Sequence, residues 1–319
     1  MSDRRRAGLL LPTAALTVVS AVWGSTFFLV KDLLHQVSPL DFLGVRFGIV
    51  ATVVVAVWGR RLLHAGSRLW GRGAVLGLLY GAAQVAQTIG LAHTDASVSG
   101  FITGMYVVFT PVLAFLVFRQ RQGLATVGAV VVATVGLMVL SLNGLSFGVG
   151  AATTLLGSLL YAVHIVLLGR WSAQHSGVAL ALVQGVVLGL ICVVAALPGG
   201  VALPSTGSAW ASLLYMAFVA GLGALVLQTW AQSRIPATSA AVVMTTEPVF
   251  ATVFAVTFGG DRLTSRLLLG GGLVLLAMVA TELFPWGTPA PAAPTARTVK
   301  GDTSCPPAPS DSPREPSLP

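Results

Sequence analysis

The sequence predicts an all-α integral membrane protein, on the basis of its composition, its apolar runs and the placement of its basic residues. Of the 319 residues, 55% are hydrophobic and 9% are charged, and the mean hydropathy is +0.87. An ordinary soluble domain carries about 25% charged residues. A water-soluble fold of this composition would have too few polar side chains to cover its surface. The composition therefore excludes a soluble globular enzyme.

Ten apolar runs are long enough to cross a bilayer, whose hydrocarbon core of about 30 Å needs ~20 residues of helix. The connections between them are too short to contain a folded domain. We therefore expect ten transmembrane helices, at approximately Leu9–Val30, Pro39–Trp58, Gly71–Leu91, Ala96–Phe118, Leu124–Leu142, Gly148–Leu168, Gly177–Leu197, Ala209–Ala231, Pro236–Phe258 and Leu267–Phe284.

The basic residues are distributed unevenly over the connections. Cytoplasmic loops of membrane proteins carry an excess of Lys and Arg, so we expect both termini in the cytoplasm and the chain in the cytoplasmic (plasma) membrane. The net charge of +8 is scattered among short loops and forms no continuous basic stripe, so no nucleic-acid partner is expected. Alternate connections place most of the 18 Lys and Arg residues on one side: Arg4, Arg5, Arg6, Arg60, Arg61, Arg68, Arg72, Arg119, Arg121, Arg170, Arg234, Arg297, Lys300 and Arg314.

The chain carries the trace of an internal duplication. The segment 111–114, Pro-Val-Leu-Ala, matches 248–251, Pro-Val-Phe-Ala, and both lie in the fourth helix of a five-helix half. Because five is odd, the second half enters the bilayer from the opposite face, as in the inverted repeats of transporters. The domains expected are a cytoplasmic N-terminus, two repeats, and a Pro/Ala/Ser/Thr-rich cytoplasmic tail too polar to fold, at 1–8, 9–142, 148–285 and 286–319.

Several motifs resemble the EamA family of the drug/metabolite transporter superfamily. They are Trp-Gly-Ser-Thr-Phe at 23–27, Gln-Thr-Trp-Ala-Gln at 228–232, Glu-Pro-Val-Phe-Ala at 247–251 and Asp-Arg-Leu-Thr at 261–264. The resemblance covers residues 15–285 and implies a ten-helix carrier of small organic metabolites, amino acids or drugs, working outward. The chain departs from the family at 119–121, where Arg-Gln-Arg replaces a glutamate motif, and at Asp261, where the family usually has glutamate.

Two ionisable residues lie well inside predicted helices, where a charge costs about 2.5–3.5 kcal/mol on insertion scales. Arg46 is in the second helix and Glu247 in the ninth. Arg46 is a candidate for holding a carboxylate, and Glu247 for binding an amine or a coupling proton. The alternatives are a structural ion pair, or an arginine that reaches the lipid headgroups.

Other polar and aromatic side chains within the helices are candidates for lining a substrate cavity, since rings cover apolar parts of a ligand while amides and hydroxyls orient its polar parts. The alternative is hydrogen bonding between helices or anchoring at the membrane interface. For His164 the alternatives are a proton relay and a histidine hydrogen-bonded in the core. The candidates are Trp23, Gln84, Gln87, Tyr106, Tyr161, His164, Gln228 and Trp230.

Glycines and prolines recur at positions that bear on helix packing. Small residues four apart allow helices to approach closely, which we expect at Gly73, Gly77, Gly81, Gly100 and Gly104, and again at Gly185 and Gly189. Pro111 and Pro248 are expected to kink matching helices around a central cavity.

We therefore expect an alternating-access carrier driven by an ion gradient, by exchange or by the gradient of its substrate. Its partners are a small-molecule substrate, the lipid bilayer and, as one option, protons. The sequence has no Gly-Lys-Ser/Thr phosphate loop and no metal motif, so no cofactor or metal is expected. The alternatives are a membrane-embedded enzyme acting on lipid-linked groups and a non-transporting receptor. The sequence predicts neither the substrate nor an oligomeric state.

Overall fold

The computed structural model describes residues 3–118, 124–143, 146–172, 177–232 and 243–283, and the tail predicted at 286–319 lies outside them. A 3-10 turn at Leu197–Gly199 follows α8, and a π-helix at Tyr215–Gly223 joins α9 to α10. Strands β1 (Leu142–Asn143) and β2 (Ser146–Phe147) form a two-residue antiparallel pair with Leu142 opposite Phe147. The helices are α1 (Asp3–Leu33), α2 (Pro39–Leu63), α3 (Ser67–Ala92), α4 (Ala96–Gly104), α5 (Tyr106–Phe118), α6 (Leu124–Ser141), α7 (Val149–Ser172), α8 (Gly177–Ala196), α9 (Gly207–Leu214), α10 (Ala224–Gln232), α11 (Glu247–Thr257) and α12 (Ser265–Leu283).

Five of the described helices, α1, α2, α3, α7 and α8, are long and apolar enough to cross a membrane. Five shorter apolar segments of 10–17 residues accompany them, and each of the ten predicted runs overlaps one of these ten segments. Outward-facing side chains such as Val57, Leu190 and Leu276 are 62%, 62% and 61% exposed. An apolar surface of this kind belongs in lipid. The described structure is thus that of a multi-pass helical membrane protein; crossing by all ten segments stays a prediction.

Local sequence explains where several helices begin and break. The α2 helix starts after Ser38, whose hydroxyl accepts a hydrogen bond from the Asp41 backbone N–H, and Pro39 occupies the first turn, where its missing N–H costs nothing. The fourth predicted helix is interrupted at Met105, six residues before Pro111. The ninth is interrupted immediately before α11, which places Pro248 in a first turn. The interruptions therefore lie near both predicted kinks but not at the prolines themselves.

The helices pack in pairs through small residues. Helix α2 packs on α8, α3 on α7 and α8, α6 on α12, and α1 and α4 on α11. Gly73, Gly77 and Gly81 lie where α3 meets α8, and a Cβ at Gly77 would lie 2.8 Å from the Gln184 carbonyl oxygen. Gly104 faces Pro248 and Met278 in the same close manner. These glycines set the distance between neighbouring helices.

Connections that alternate along the chain meet at one end of the bundle, here called the Lys31 end. The connection after α1 contacts the connection before α9, because the Ser205 hydroxyl donates to the Gln36 side-chain carbonyl at 3.1 Å. The first turn of α4 contacts the connection after α11, through Ser97 and Asp261. Consecutive helices that run in opposite directions place every second connection at the same end of the bundle, as these contacts show.

We expect Gly77→Ala to destabilise the protein by about 1–3 kcal/mol, because the new methyl group would meet the α8 backbone and force α3 away from it. Thermal unfolding in detergent measures the effect. Gly128→Ala in α6 is the matched control, since a Cβ there meets nothing within 4 Å. Equal melting temperatures for the two variants would contradict close packing at Gly77.

Candidate functional site

A cavity of about 240 Å³ lies among the helices, and most of its wall is apolar. This volume is somewhat below the roughly 300–1,000 Å³ typical of sites for drug-sized ligands, so it suits a small molecule. No group of three or more His, Cys, Asp or Glu side chains able to hold a metal occurs in the described part of the chain. Nine of the ten polar, aromatic and charged residues predicted from the sequence line the cavity: Trp23, Arg46, Gln84, Gln87, Tyr106, Tyr161, His164, Gln228 and Glu247.

The tenth predicted residue, Trp230, is not among the cavity-lining residues. It packs instead beside Leu16 and Ala231. Two residues along a helix correspond to a rotation of about 200°. Since Gln228 faces the cavity, Trp230 lies on the other side of α10.

Arg46 enters the cavity wall about two turns after the start of α2 and is 7% exposed. Its Nε donates to the carbonyl oxygen of Met216 at 3.2 Å, and its guanidinium carbon lies 4.8 Å from the ring centroid of Phe47. An aromatic face stabilises a cation that has lost its water. The one ion pair among the described residues joins Lys31 and Asp95, so the positive charge of Arg46 has no carboxylate partner there.

Glu247 is the first residue of α11 and is 9% exposed. The positive end of the helix dipole favours a carboxylate at this position. The Tyr106 hydroxyl donates to Glu247 Oε2 at 3.5 Å, the long limit of a hydrogen bond. An ion pair of Arg46 with Glu247, the structural alternative raised by the sequence, is not present in the described structure. The cavity wall therefore carries one positive and one negative group that do not neutralise each other by contact.

A hydrogen-bonded group connects three helices on one side of the cavity. Gln87 of α3 donates from Nε2 to the Thr103 hydroxyl at 3.1 Å, and its Oε1 accepts from the Tyr161 hydroxyl at 2.8 Å. The side-chain amide of Gln87 is thereby fixed in orientation. Polar groups placed in this way can orient a ligand without having to reorganise.

Tyr80 lies at the centre of the aromatic wall but is absent from the residues predicted as site candidates. Its ring centroid is 5.4 Å from that of Tyr161 and 5.2 Å from that of His164. The signal was present in the sequence, because Tyr80, Gln84 and Gln87 follow the i, i+4, i+7 spacing of one helix face. Thr103 and Gln184 were missed as well.

His164 is hydrogen-bonded in the cavity wall. Its Nε2 lies 2.9 Å from Oε1 of Gln184, and both residues are buried. Of the two alternatives that the sequence left for this residue, the geometry matches the histidine with a satisfied partner.

The π-helix contributes backbone carbonyls to the site. Its wider turn forms i→i+5 hydrogen bonds, and segments of this type often occur at functional sites. The Met216 carbonyl accepts from Arg46, and the Ala220 carbonyl accepts from Trp23 Nε1 at 2.8 Å. The π-helix therefore positions two of the predicted site residues.

Comparison with known proteins identifies the family. The family model described as the EamA-like transporter family matches residues 11–142 and again 148–282. An uncharacterized transporter of Archaeoglobus fulgidus is 31% identical over 269 residues, 84% of each chain. The uncharacterized inner membrane transporter YedA of Escherichia coli K12 is 24% identical over 292 residues, 88% of this chain and 94% of its own.

One solved crystal structure shares the fold, with a TM-score of 0.60 at 15% identity over 87% of this chain and 97% of its own. The resemblance drawn from the sequence motifs is confirmed by the family model and by the named relatives. The chain belongs to the EamA-like transporter family and is a multi-pass membrane transporter.

Proposed function

We propose that this transporter moves a small organic metabolite outward across the cytoplasmic membrane by alternating access. The observation that carries the proposal is the cavity in which Arg46 and Glu247 both line the wall without forming an ion pair. Charged side chains that face a cavity within the membrane mark substrate or ion pathways. Arg46 recognises a carboxylate or a similar anionic group, and Glu247 recognises an amine or carries a coupling proton.

An inverted repeat of two five-helix halves is supported by the packing. If the two halves are equivalent, each contact between two helices should recur between their counterparts in the other half. The counterparts of α1 and α11 are α7 and the interrupted helix α4–α5, and α7 does pack on both α4 and α5. The same exchange of counterparts turns α3–α7 into α10–α1, another observed pair, and leaves α2–α8 and α6–α12 unchanged. The two separate matches of the family model fit the same two halves, 9–142 and 148–285. Repeats of this type place the substrate site between them.

The orientation rests on the basic residues, which assign the Lys31 end to the outside and both termini to the cytoplasm. The cavity wall includes Leu168 near the end of α7 and Val178 at the start of α8. These helix ends lie on the cytoplasmic side in this orientation. The described conformation is therefore one in which the cavity extends towards the cytoplasm, as loading for export requires.

Counterflow in proteoliposomes tests the function. We expect saturable uptake of a labelled compound against an excess of the same compound inside, from a set of amino acids, nucleosides, sugars and lipophilic cations. Gly185, which the four-residue spacing predicted to pack against another helix, instead lines the cavity, and a Cβ there meets nothing within 4 Å. A tryptophan side chain at this position would extend into the cavity, and we expect Gly185→Trp to abolish the flux.

Gly128→Trp in α6 is the matched control, since a Cβ at that glycine also meets nothing within 4 Å and the position is exposed. We expect this variant to retain the wild-type flux. Flux that survives Gly185→Trp would place the pathway elsewhere. The absence of flux for every compound, with folded protein in the liposomes, would contradict the carrier function.

A further inference from the structure

Two contacts at the Lys31 end tie together segments that are far apart in the sequence. Lys31, in the last turn of α1, donates from Nζ to the Thr94 carbonyl and lies 3.7 Å from Oδ1 of Asp95. Asp261, between α11 and α12, accepts from the Ser97 backbone N–H at 2.9 Å and from its hydroxyl at 2.7 Å. The start of α4 is therefore held from two sides.

The contact of Asp261 is the stronger of the two. Asp95 occupies the N-cap position of α4 but makes no capping hydrogen bond with its side chain. Asp261 takes this role from 164 residues away, so a carboxylate meets the unpaired N–H groups and the positive dipole of the helix start. The Lys31 and Asp95 side chains are 29% and 70% exposed, and exposed ion pairs contribute little.

These contacts lie over one end of the cavity. Val30 and Leu91 line the cavity and are 6% and 3% exposed. Val30 is adjacent to Lys31 in the sequence, and Leu91 precedes Thr94 by three residues. A ligand in the cavity would have to pass these side chains to leave at the Lys31 end.

The equivalent connections at the opposite end lack an acidic residue. In two inverted repeats, the connections equivalent to those carrying Asp261 and Asp95 are 119–123 and 233–242. Their sequences are Arg-Gln-Arg-Gln-Gly and Ser-Arg-Ile-Pro-Ala-Thr-Ser-Ala-Ala-Val, and neither contains Asp or Glu. A carboxylate from these connections cannot cap a helix start at the opposite end.

We propose that Asp261 with Ser97, and Lys31 with Thr94 and Asp95, form a latch that holds the Lys31 end closed and opens once in each transport cycle. The latch rests on the alternating access proposed above. Because the equivalent connections at the opposite end contain no carboxylate, the latch biases the substrate-free transporter towards the conformation open to the cytoplasm. Removing it shifts the population towards the conformation open at the Lys31 end.

Cysteine labelling in a chain whose two native cysteines are replaced tests the latch. Val30→Cys reports access from outside, with a membrane-impermeant maleimide applied to intact cells. Ala181→Cys, at a cavity-lining residue of α8, reports access from the cytoplasmic side in inverted vesicles. We expect Asp261→Ala to raise the labelling rate of Val30→Cys about fivefold or more, from the loss of hydrogen bonds to a charged group, and to lower that of Ala181→Cys.

Asp32→Ala is the matched control, because it removes an exposed acid at the same end and should change neither rate. Opposite changes at the two reporters support the latch, since partial unfolding would raise both rates. Unchanged labelling, a rise at both reporters, or the same rise with Asp32→Ala would overturn it. Saturable counterflow with unchanged labelling would refute the latch alone. Opposite labelling changes at the two reporters, without flux for any compound, would refute the proposed substrate transport alone.

Discussion

Replacing Arg46 with methionine is expected to raise the KM for a substrate with an anionic group by about 30-fold or more, while protein in the membrane remains folded. Methionine keeps an unbranched apolar side chain against Phe42 and Phe47 but removes the charge. Losing one partner of a desolvated charge pair costs about 2–5 kcal/mol, and each 1.4 kcal/mol is tenfold in affinity. Initial rates of counterflow over a range of substrate concentrations measure the effect.

Arg266→Met separates recognition from structure. The Nε of Arg266 also donates to a backbone carbonyl of another helix, that of Val139, but Arg266 does not line the cavity. Both variants therefore lose an arginine-to-carbonyl contact, and a similar loss of thermal stability is expected. Only Arg46→Met should change the KM. Equal KM values in the two variants would show that Arg46 has a structural role alone.

The architecture could be predicted from the sequence because a bilayer imposes simple rules on length and polarity. The start of α2 at Pro39 and the end of α3 at Ala92 lie within a residue of their predicted positions, because polar residues stop the apolar runs there. The break at Met105 and the π-helix could not be predicted. Both lie inside predicted membrane-spanning runs, where the hydrogen-bonding pattern depends on the neighbouring helices and not on local composition.

The site residues were predicted from the polarity of side chains within apolar runs, and the errors of the prediction come from the same criterion. A polar residue within an apolar run must face a polar partner or a cavity, and this reasoning found Gln87 and Tyr161. It does not distinguish the two sides of a helix, so it included Trp230, which packs beside Leu16. Tyr80 required the periodicity of α3 to be combined with polarity. The role of the Met216 carbonyl left no signal in the side-chain sequence, since every residue has a carbonyl.

Glu247→Gln is expected to lower transport about tenfold or more and to flatten its dependence on pH. The amide keeps the size and the hydrogen-bonding capacity towards Tyr106 but cannot carry a negative charge or exchange a proton at physiological pH. Hydrogen bonds to a charged group are worth about 1.5–3 kcal/mol. Net flux driven by a fixed pH difference across the membrane, with both compartments stepped between pH 5.5 and pH 8.5, measures the rate and its pH profile.

Asp41→Asn is the control for removing a buried acid. Asp41 is 9% exposed, as Glu247 is, and its Oδ2 accepts from the Ser38 hydroxyl at 2.8 Å, but it does not line the cavity. We expect Asp41→Asn to keep the wild-type pH profile. A wild-type rate and pH profile in Glu247→Gln would retire the proposed role of this carboxylate.

The Glu247→Gln variant also separates amine recognition from proton coupling. Counterflow exchanges labelled for unlabelled substrate at equal pH and needs no net proton movement, whereas accumulation driven by a pH gradient does. If Glu247 carries the coupling proton, the variant keeps counterflow and loses gradient-driven accumulation. If Glu247 binds an amine of the substrate, the variant loses both for amine substrates and keeps counterflow of analogues in which the amine is replaced by hydrogen. The carboxylate of Glu247 has no cationic partner among the described residues. A substrate amine or a proton would therefore neutralise this buried charge during the cycle.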